Sequence, residues 1–262
     1  MDTRKPIIQV KNVWKEYGDN IVLERLNLNV FHGDFVSIVG ASGCGKTTFL
    51  NMLLGTEQQT RGDILLDGQP LSNEPGVERG IVFQKYSVFP HLTAIQNVML
   101  GEELDSKGIV PLMFGRTIGG QKAAVRERAK EMLIAVGLGH ALNKYPHELS
   151  GGMRQRLSIA QSLIKKPRIL LLDEPFGALD PGIRKDMHVL IKDLWHEQGL
   201  TVFMITHDLS EGFHLGNRLW VFDQPRKDEQ APERFGAQVT FDIPIDKDKA
   251  SQEVHELTKK IA

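Results

Sequence analysis

The chain has 262 residues, 41% of them hydrophobic and 25% charged, with a formal net charge of -1. That length suits one large α/β domain or a core with a subdomain, and the composition is able to bury a proper core. The balanced charge gives no footprint for nucleic acid, the single cysteine (Cys44) excludes an intrachain disulfide and predicts a reducing compartment, and no run approaches the ~18 apolar residues that span a bilayer. Residues 1–6 lack the apolar centre of a signal peptide. A membrane role is therefore expected to act through partners.

In chain order, residues 7–13 read as a strand, 14–18 as a turn, and 21–30 as a second strand region with Val22, Leu26, Leu28 and Val30 on its apolar positions. Tyr17 beside the turn glycine has two readings. One is a flat platform for an adenine ring; the other, favoured by the residues alone, is a partly buried edge-strand aromatic. Residues 35–39 (FVSIV) form a buried strand, and Gly40-Ala-Ser-Gly-Cys-Gly-Lys-Thr-Thr48 fits the phosphate-loop pattern G-x-x-x-x-G-K-[ST]. Glycines suit such a loop because backbone N–H groups must close around an anion with no Cβ in the way. The helix expected over 47–54 adds the positive end of its dipole. Lys46 would reach the β- and γ-phosphates and the Thr47 hydroxyl would ligate Mg²⁺.

Residues 62–68 read as a strand entering a turn, and 80–84 as a short strand ending in Gln84, which could touch a metal ion or the attacking water, or be an ordinary loop residue. Helical periodicity follows over 94–100 and 122–136, where Val125, Ala129, Met132, Leu133 and Val136 share a face. Residues 105–120 between them read as a loop or short extra helix. Ser150 is a natural N-cap for the helix opening at LSGGMRQR. Two glycines in its first turn cost roughly 1 kcal/mol each, so their amides are expected to meet something that approaches closely, and an anion is the obvious candidate.

Residues 168–174 are a buried strand ending in two carboxylates. Asp173 there calls for a cation, with Mg²⁺ the fitting partner, and Glu174 could polarise a water. Asp180 is placed as the cap of a helix with Pro181 at its first position, lined inside by Ile183, Met187, Leu190, Ile191 and Leu194. Residues 201–206 form another buried strand with His207 at its end, either orienting a γ-phosphate or serving as a hydrogen-bonded turn residue. Beyond residue 222 a strand over 237–243 and an amphipathic helix over 249–261 are expected.

Taken together, the phosphate loop, the Gln84 loop, LSGGM at Leu149, ILLLDE at Ile169, Ala178-Leu-Asp180 and His207 resemble, in that order, the ATP-binding subunit of ABC transporters over residues 7–223. The resemblance implies an α/β fold: a P-loop NTPase core with a mixed or parallel sheet and flanking helices, an antiparallel β subdomain and an inserted helical subdomain. The segments would be 1–90 with 167–223 (core), 91–166 (helical, carrying the signature) and 224–262 (extension). It implies ATP and Mg²⁺ as cofactors. Tyr17 would stack on adenine, and Gly40, Ala41, Ser42, Gly43, Cys44, Gly45, Lys46, Thr47 and Thr48 would surround the phosphates. Thr47, Gln84 and Asp173 would hold Mg²⁺, while Glu174 as general base, His207 and Lys46 would carry the catalysis.

The resemblance further implies a homodimer or heterodimer of ATPase subunits in which Ser150, Gly151 and Gly152 cap the γ-phosphate of the other copy, with Asp180 at the shared seam. Transmembrane permease subunits, and indirectly a periplasmic or extracellular substrate-binding protein, would complete an importer on the cytoplasmic face of the membrane, with no nucleic acid involved. The stretches ASGCGKTTFL, FPHLTAIQNV and DEPFGALD are similar to importers of the nitrate, sulfonate and taurine group. Residues 105–120 and LDPGIRKDMH are similar to ATPases associated with guanidine metabolism. The alternative is a non-transport ABC ATPase such as one for iron–sulfur assembly.

Overall fold

Continuous apolar runs, rather than alternating ones, make the centre of this protein. The computed structural model describes residues 5–84, 87–103, 119–226, 228 and 230–245. Strands β3 (Phe35–Gly40), β6 (Arg79–Val82), β7 (Ile169–Asp173), β8 (Thr201–Ile205) and β9 (Arg218–Asp223) run parallel, and β10 (Gln238–Pro244) closes the edge antiparallel to β9. The order is β10-β9-β3-β8-β7-β6. Strands apolar on both sides need cover on both faces, and the chain supplies it.

One face is covered by a second sheet, antiparallel, of β1 (Ile8–Tyr17), β2 (Asn20–Val30), β4 (Arg61–Leu66) and β5 (Gln69–Pro70), in the order β2-β1-β4-β5. Helix α1 (Lys46–Leu54) lies between the two sheets, where Phe49, Leu50 and Leu53 join Val13, Leu23, Ile38, Phe203 and Trp220 in one core. The other face is covered by α2 (Ala94–Glu103), α3 (Gly119–Ala135), α4 (Gly151–Leu163) and α5 (Pro181–Gln198), whose apolar stripes form a second core with Leu170, Leu172 and Met204. Helix α6 (Leu209–Leu215) packs beside β3 and β9. This is the expected P-loop architecture.

Three local readings differ from expectation or fall outside it. Residues 14–17 are not a turn. They continue β1, pairing Lys15 with Leu23, Glu16 with Ile21 and Tyr17 with Asn20. Register shifts at Val10/Val13, Val13/Lys15 and Lys15/Glu16 break the two-residue alternation there, which hides the strand from a periodicity reading. The turn is only Gly18 and Asp19. The strand expected over 237–243 is β10. The expectation for 105–120 lies outside the described residues except for Gly119 and Gly120, which begin α3, and the helix expected over 249–261 lies outside them entirely.

Candidate functional site

Four neighbouring strands deliver the site. In their parallel registers Ile38 and Asp173 both lie level with Ile205, and Leu172 with Val82. The strand ends therefore meet along one carboxyl edge: the phosphate loop leaves β3 there, His207 leaves β8, Asp173 and Glu174 close β7, and Gln84 leaves β6. The antiparallel sheet brings Tyr17, half-exposed at the end of β1, to the same mouth. A cavity of ≈ 480 Å³ there is lined by Tyr17, Asn20, Val22, Gly40, Ser42, Gly43, Gly45, Lys46, Thr47, Thr48, Glu174 and His207.

The loop is wedged in place. Gly45 has φ +80, and a Cβ on it would sit 2.7 Å from Leu23 Cδ2. Gly40 has φ +149, with its missing Cβ 2.1 Å from the Phe222 carbonyl oxygen. Both positions need glycine for conformation and for space. Gly45 starts α1 with no side-chain cap and no acid in the first turn, so the leading amides are open to an anion. Lys46 is buried; its ammonium donates to the carbonyls of Gly40 and Ala41, both at 2.8 Å. Among the described residues it pairs with no carboxylate, and a buried cation in that condition fits an anionic ligand.

The acids present the converse. Thr47 Oγ1 donates to Asp173 Oδ1 at 3.4 Å, Gln84 Nε2 donates to Glu174 Oε2 at 3.2 Å, and His207 Nδ1 stands 3.8 Å from the same Glu174 oxygen. Burial first, and then the neighbouring Glu174 charge, push the Asp173 carboxyl above the usual carboxylate range, against the smaller pull of Thr47 and Lys46. This acid pair fits a divalent cation. Among the described residues no cluster of three or more His, Cys, Asp or Glu could hold a metal, so such an ion would also need phosphate oxygens as ligands.

Not every expected residue lines the cavity. Gln84 and Asp173 are absent from its lining but are tied by the bonds above to Glu174 and Thr47, which line it. Ala41 turns to an adjoining cavity of ≈ 410 Å³, and Cys44 to one of ≈ 210 Å³ behind the loop with Phe235 and Ala237. Burial raises the Cys44 thiol above its usual range despite Lys46 Nζ at 3.7 Å. Ser150, Gly151, Gly152 and Asp180 are absent from all three linings. Ser150 caps α4 as expected, accepting from the Met153 amide at 3.3 Å. Asp180 stands at the N-cap position of α5 but makes no capping bond, which corrects its expected role there. Asn20 and Val22 carry no motif in the sequence. Their signal is the hairpin pairing of Tyr17 with Asn20, visible only once the strand is extended.

The chain is similar to known proteins over most of its length. The sequence profile described as "ABC transporter" matches residues 23–177, more than half of the chain. The sulfate/thiosulfate import ATP-binding protein CysA of Neisseria meningitidis is 39% identical over 218 residues, covering 82% of this chain and 58% of the relative. The spermidine/putrescine import ATP-binding protein PotA of Aggregatibacter actinomycetemcomitans is 38% identical over 217 residues, covering 82% and 55%. The chain thus spans little more than half the length of these relatives. Among solved structures, the dimeric post-hydrolysis state of the ATP-binding cassette MJ0796 bound to ADP and Pi aligns at a TM-score of 0.71 and 30% identity, over 91% of this chain and 99% of that one. On this profile match and the loop geometry that accompanies it, the chain belongs to the ABC transporter family as an ATP-binding domain.

Proposed function

We propose that the protein is the ATP-hydrolysing subunit of an importer, closing as a pair of copies on ATP and opening after hydrolysis. The observation that carries this reading is the ≈ 480 Å³ cavity in which Tyr17, the phosphate loop, Glu174 and His207 meet from separate segments. The Tyr17 ring is half-exposed, with the Lys15 ammonium 4.6 Å from its centroid, and would stack on adenine. The open amides of α1 and the Lys46 ammonium take the β- and γ-phosphates in exchange for its present carbonyl partners. Thr47, Gln84 and Asp173 would hold Mg²⁺, whose chemistry there would be to offset negative charge on the phosphates during transfer. Glu174 takes the proton of the attacking water, with Gln84 and His207 orienting its carboxylate.

Ser150, Gly151, Gly152 and Asp180 stand apart from the chain's own cavity, which supports their serving the cavity of a second copy. A second copy that leaves once the γ-phosphate is lost makes a two-state element biased by the nucleotide. We assign the nucleotide work to residues 1–90 and 167–223, the signature to 91–166 and an accessory role to 224–262. Among the described residues no helix is long and apolar enough to cross a membrane, so coupling would run through permease partners at the cytoplasmic face, supplied by a substrate-binding protein. For the solute we propose a small polar or ionic nitrogen or sulfur compound, of the nitrate, sulfonate, taurine or guanidine kind, on the wording of the motifs. CysA and PotA are named for an anion and for a polycation, which fits a solute chosen by the partners. Co-purification with a permease, followed by transport assays on the complex, tests this.

A general base contributes about 10²–10⁴ in rate. Glu174→Gln is therefore expected to keep ATP affinity, to accumulate an ATP-bound dimer in size-exclusion chromatography and to lower kcat by about that factor. Near-normal turnover would remove Glu174 from the role.

A further inference from the structure

We infer that His188 is a positioning residue for hydrolysis: a single imidazole that ties the loop carrying Glu174 to the loop carrying His207. This rests on the ATPase reading above. His188 lies two turns into α5, at the end of the LDPGIRKDMH stretch, and no role in the nucleotide site has been given to it. Its Nε2 stands 2.8 Å from Glu211 Oε1, and both side chains are largely buried, at 12% and 7% exposure. A carboxylate only accepts, so Nε2 carries the hydrogen and donates. The other oxygen of Glu211 accepts from the Thr206 hydroxyl, and Thr206 is 1% exposed. That hydroxyl in turn accepts from the Asp208 amide at 3.1 Å, and Asp208 Oδ1 accepts from the Glu211 amide at 3.2 Å.

The backbone on either side of His207 is thus pinned, at 206 and at 208, by a chain of bonds that ends on His188. The His207 ring itself is 67% exposed and is aimed mainly by that backbone. The His188 ring also meets His214 at 5.9 Å and Phe176 edge-on at 5.0 Å between centroids, and Phe176 lies two residues after Glu174. One side chain therefore braces both members of the Glu174–His207 pair while touching neither. It sits on the helix that Asp180 opens, so a shift at that helix start would reach both loops together. Without His188, the buried Oε1 of Glu211 loses its donor while Oε2 keeps Thr206, so the carboxylate turns toward another partner, and a displacement of about 1 Å near reacting groups costs on the order of 10²-fold in rate.

The test uses the full chain in steady-state ATPase assays and nucleotide titration, with Glu174→Gln as the control for hydrolysis. His188→Leu keeps apolar packing against Phe176 but cannot donate; His188→Gln restores a donor to Glu211; Thr206→Val cuts the same chain at its far end. The expected result is a fall in kcat of about tenfold or more for His188→Leu and for Thr206→Val, with KM for ATP within about twofold, and recovery to within about threefold of wild type in His188→Gln. The two losses should combine to less than their product, and the His207 ring ¹⁵N shifts should move in both. A wild type that hydrolyses ATP and a Glu174→Gln that does not, together with unchanged kcat in His188→Leu, overturn this inference and leave the function reading intact. If His188→Leu does not fold, unchanged kcat in Thr206→Val overturns it in the same way. Equal loss of kcat and affinity in all three variants reduces His188 to a structural role and also overturns it. A wild type without ATPase activity overturns both readings.

Discussion

At the scale of single residues, the site is a set of unmet charges. Lys46 is a buried cation with carbonyl partners, and Asp173 is an acid held high by burial and by Glu174. A carboxyl whose folded pKa exceeds its unfolded one binds its proton more tightly when folded. The nucleotide-free chain therefore keeps that stabilisation at low pH and loses it as pH rises from the ordinary carboxylate range through the raised value. Asp173→Asn removes the penalty. It is expected to raise Tm at neutral pH without Mg²⁺, by a margin that opens through that window and is flat above it, while abolishing the stabilisation that Mg²⁺-ATP gives the wild type. Thermal scans from pH 4 to pH 8 check this, and a lower Tm for the variant at pH 7.5 would refute it.

At the scale of elements, the start of α4 shows how one sequence feature can have two causes. Paired glycines after Ser150 point to an anion on the amides. Gly152, however, has a packing reason as well: a Cβ there would lie 2.5 Å from Ile183 Cγ2 in the first turn of α5. Gly152→Ala is expected to destabilise by about 1–3 kcal/mol through overpacking. Ile183→Ala should absorb the clash, so that the double variant is more stable than the sum of the singles by about 0.5 kcal/mol or more. Urea denaturation of the four proteins measures it, and strict additivity would restore the anion as the sole reason for Gly152.

At the scale of the whole molecule, the two sheets are locked together by the segment after β9. It crosses to β2, where the amides of Ala237 and Glu24 bond across to Val22 and Ala237, and Gly236 donates to the Glu24 carboxylate. Glu24 is 2% exposed and pairs with Arg226. Because Leu23 and Val22 wedge against Gly45, this strap also fixes one wall of the nucleotide cavity. Arg226→Ala leaves the buried Glu24 carboxylate with the more distant Arg25, at 3.8 Å, as its cation and is expected to cost about 1–3 kcal/mol in chemical denaturation. Adding Glu24→Gln should recover part of that loss, and a harmless Arg226→Ala would mean that Gly236 and Arg25 together satisfy Glu24.

The motifs, the buried strands that end in them and the cap of α4 were legible along the chain, because each depends on local geometry: a glycine that must be left-handed, a carboxylate closing an apolar run, a serine before a helix. Resemblance then joined those motifs into one nucleotide site before any coordinates were needed. Tertiary structure alone decided three further matters. It extended β1 through Trp14–Tyr17, where bulges erase alternation and only the ladder to β2 reveals the strand. It placed Asn20 and Val22 on the cavity wall, and it joined His188 to Glu211 and Phe176 across 23 and 12 residues of chain. The physical reason is the same in each case: a short-range pattern records what a residue does to its own backbone, whereas a bond between distant segments exists only when the registers of the surrounding strands bring them level.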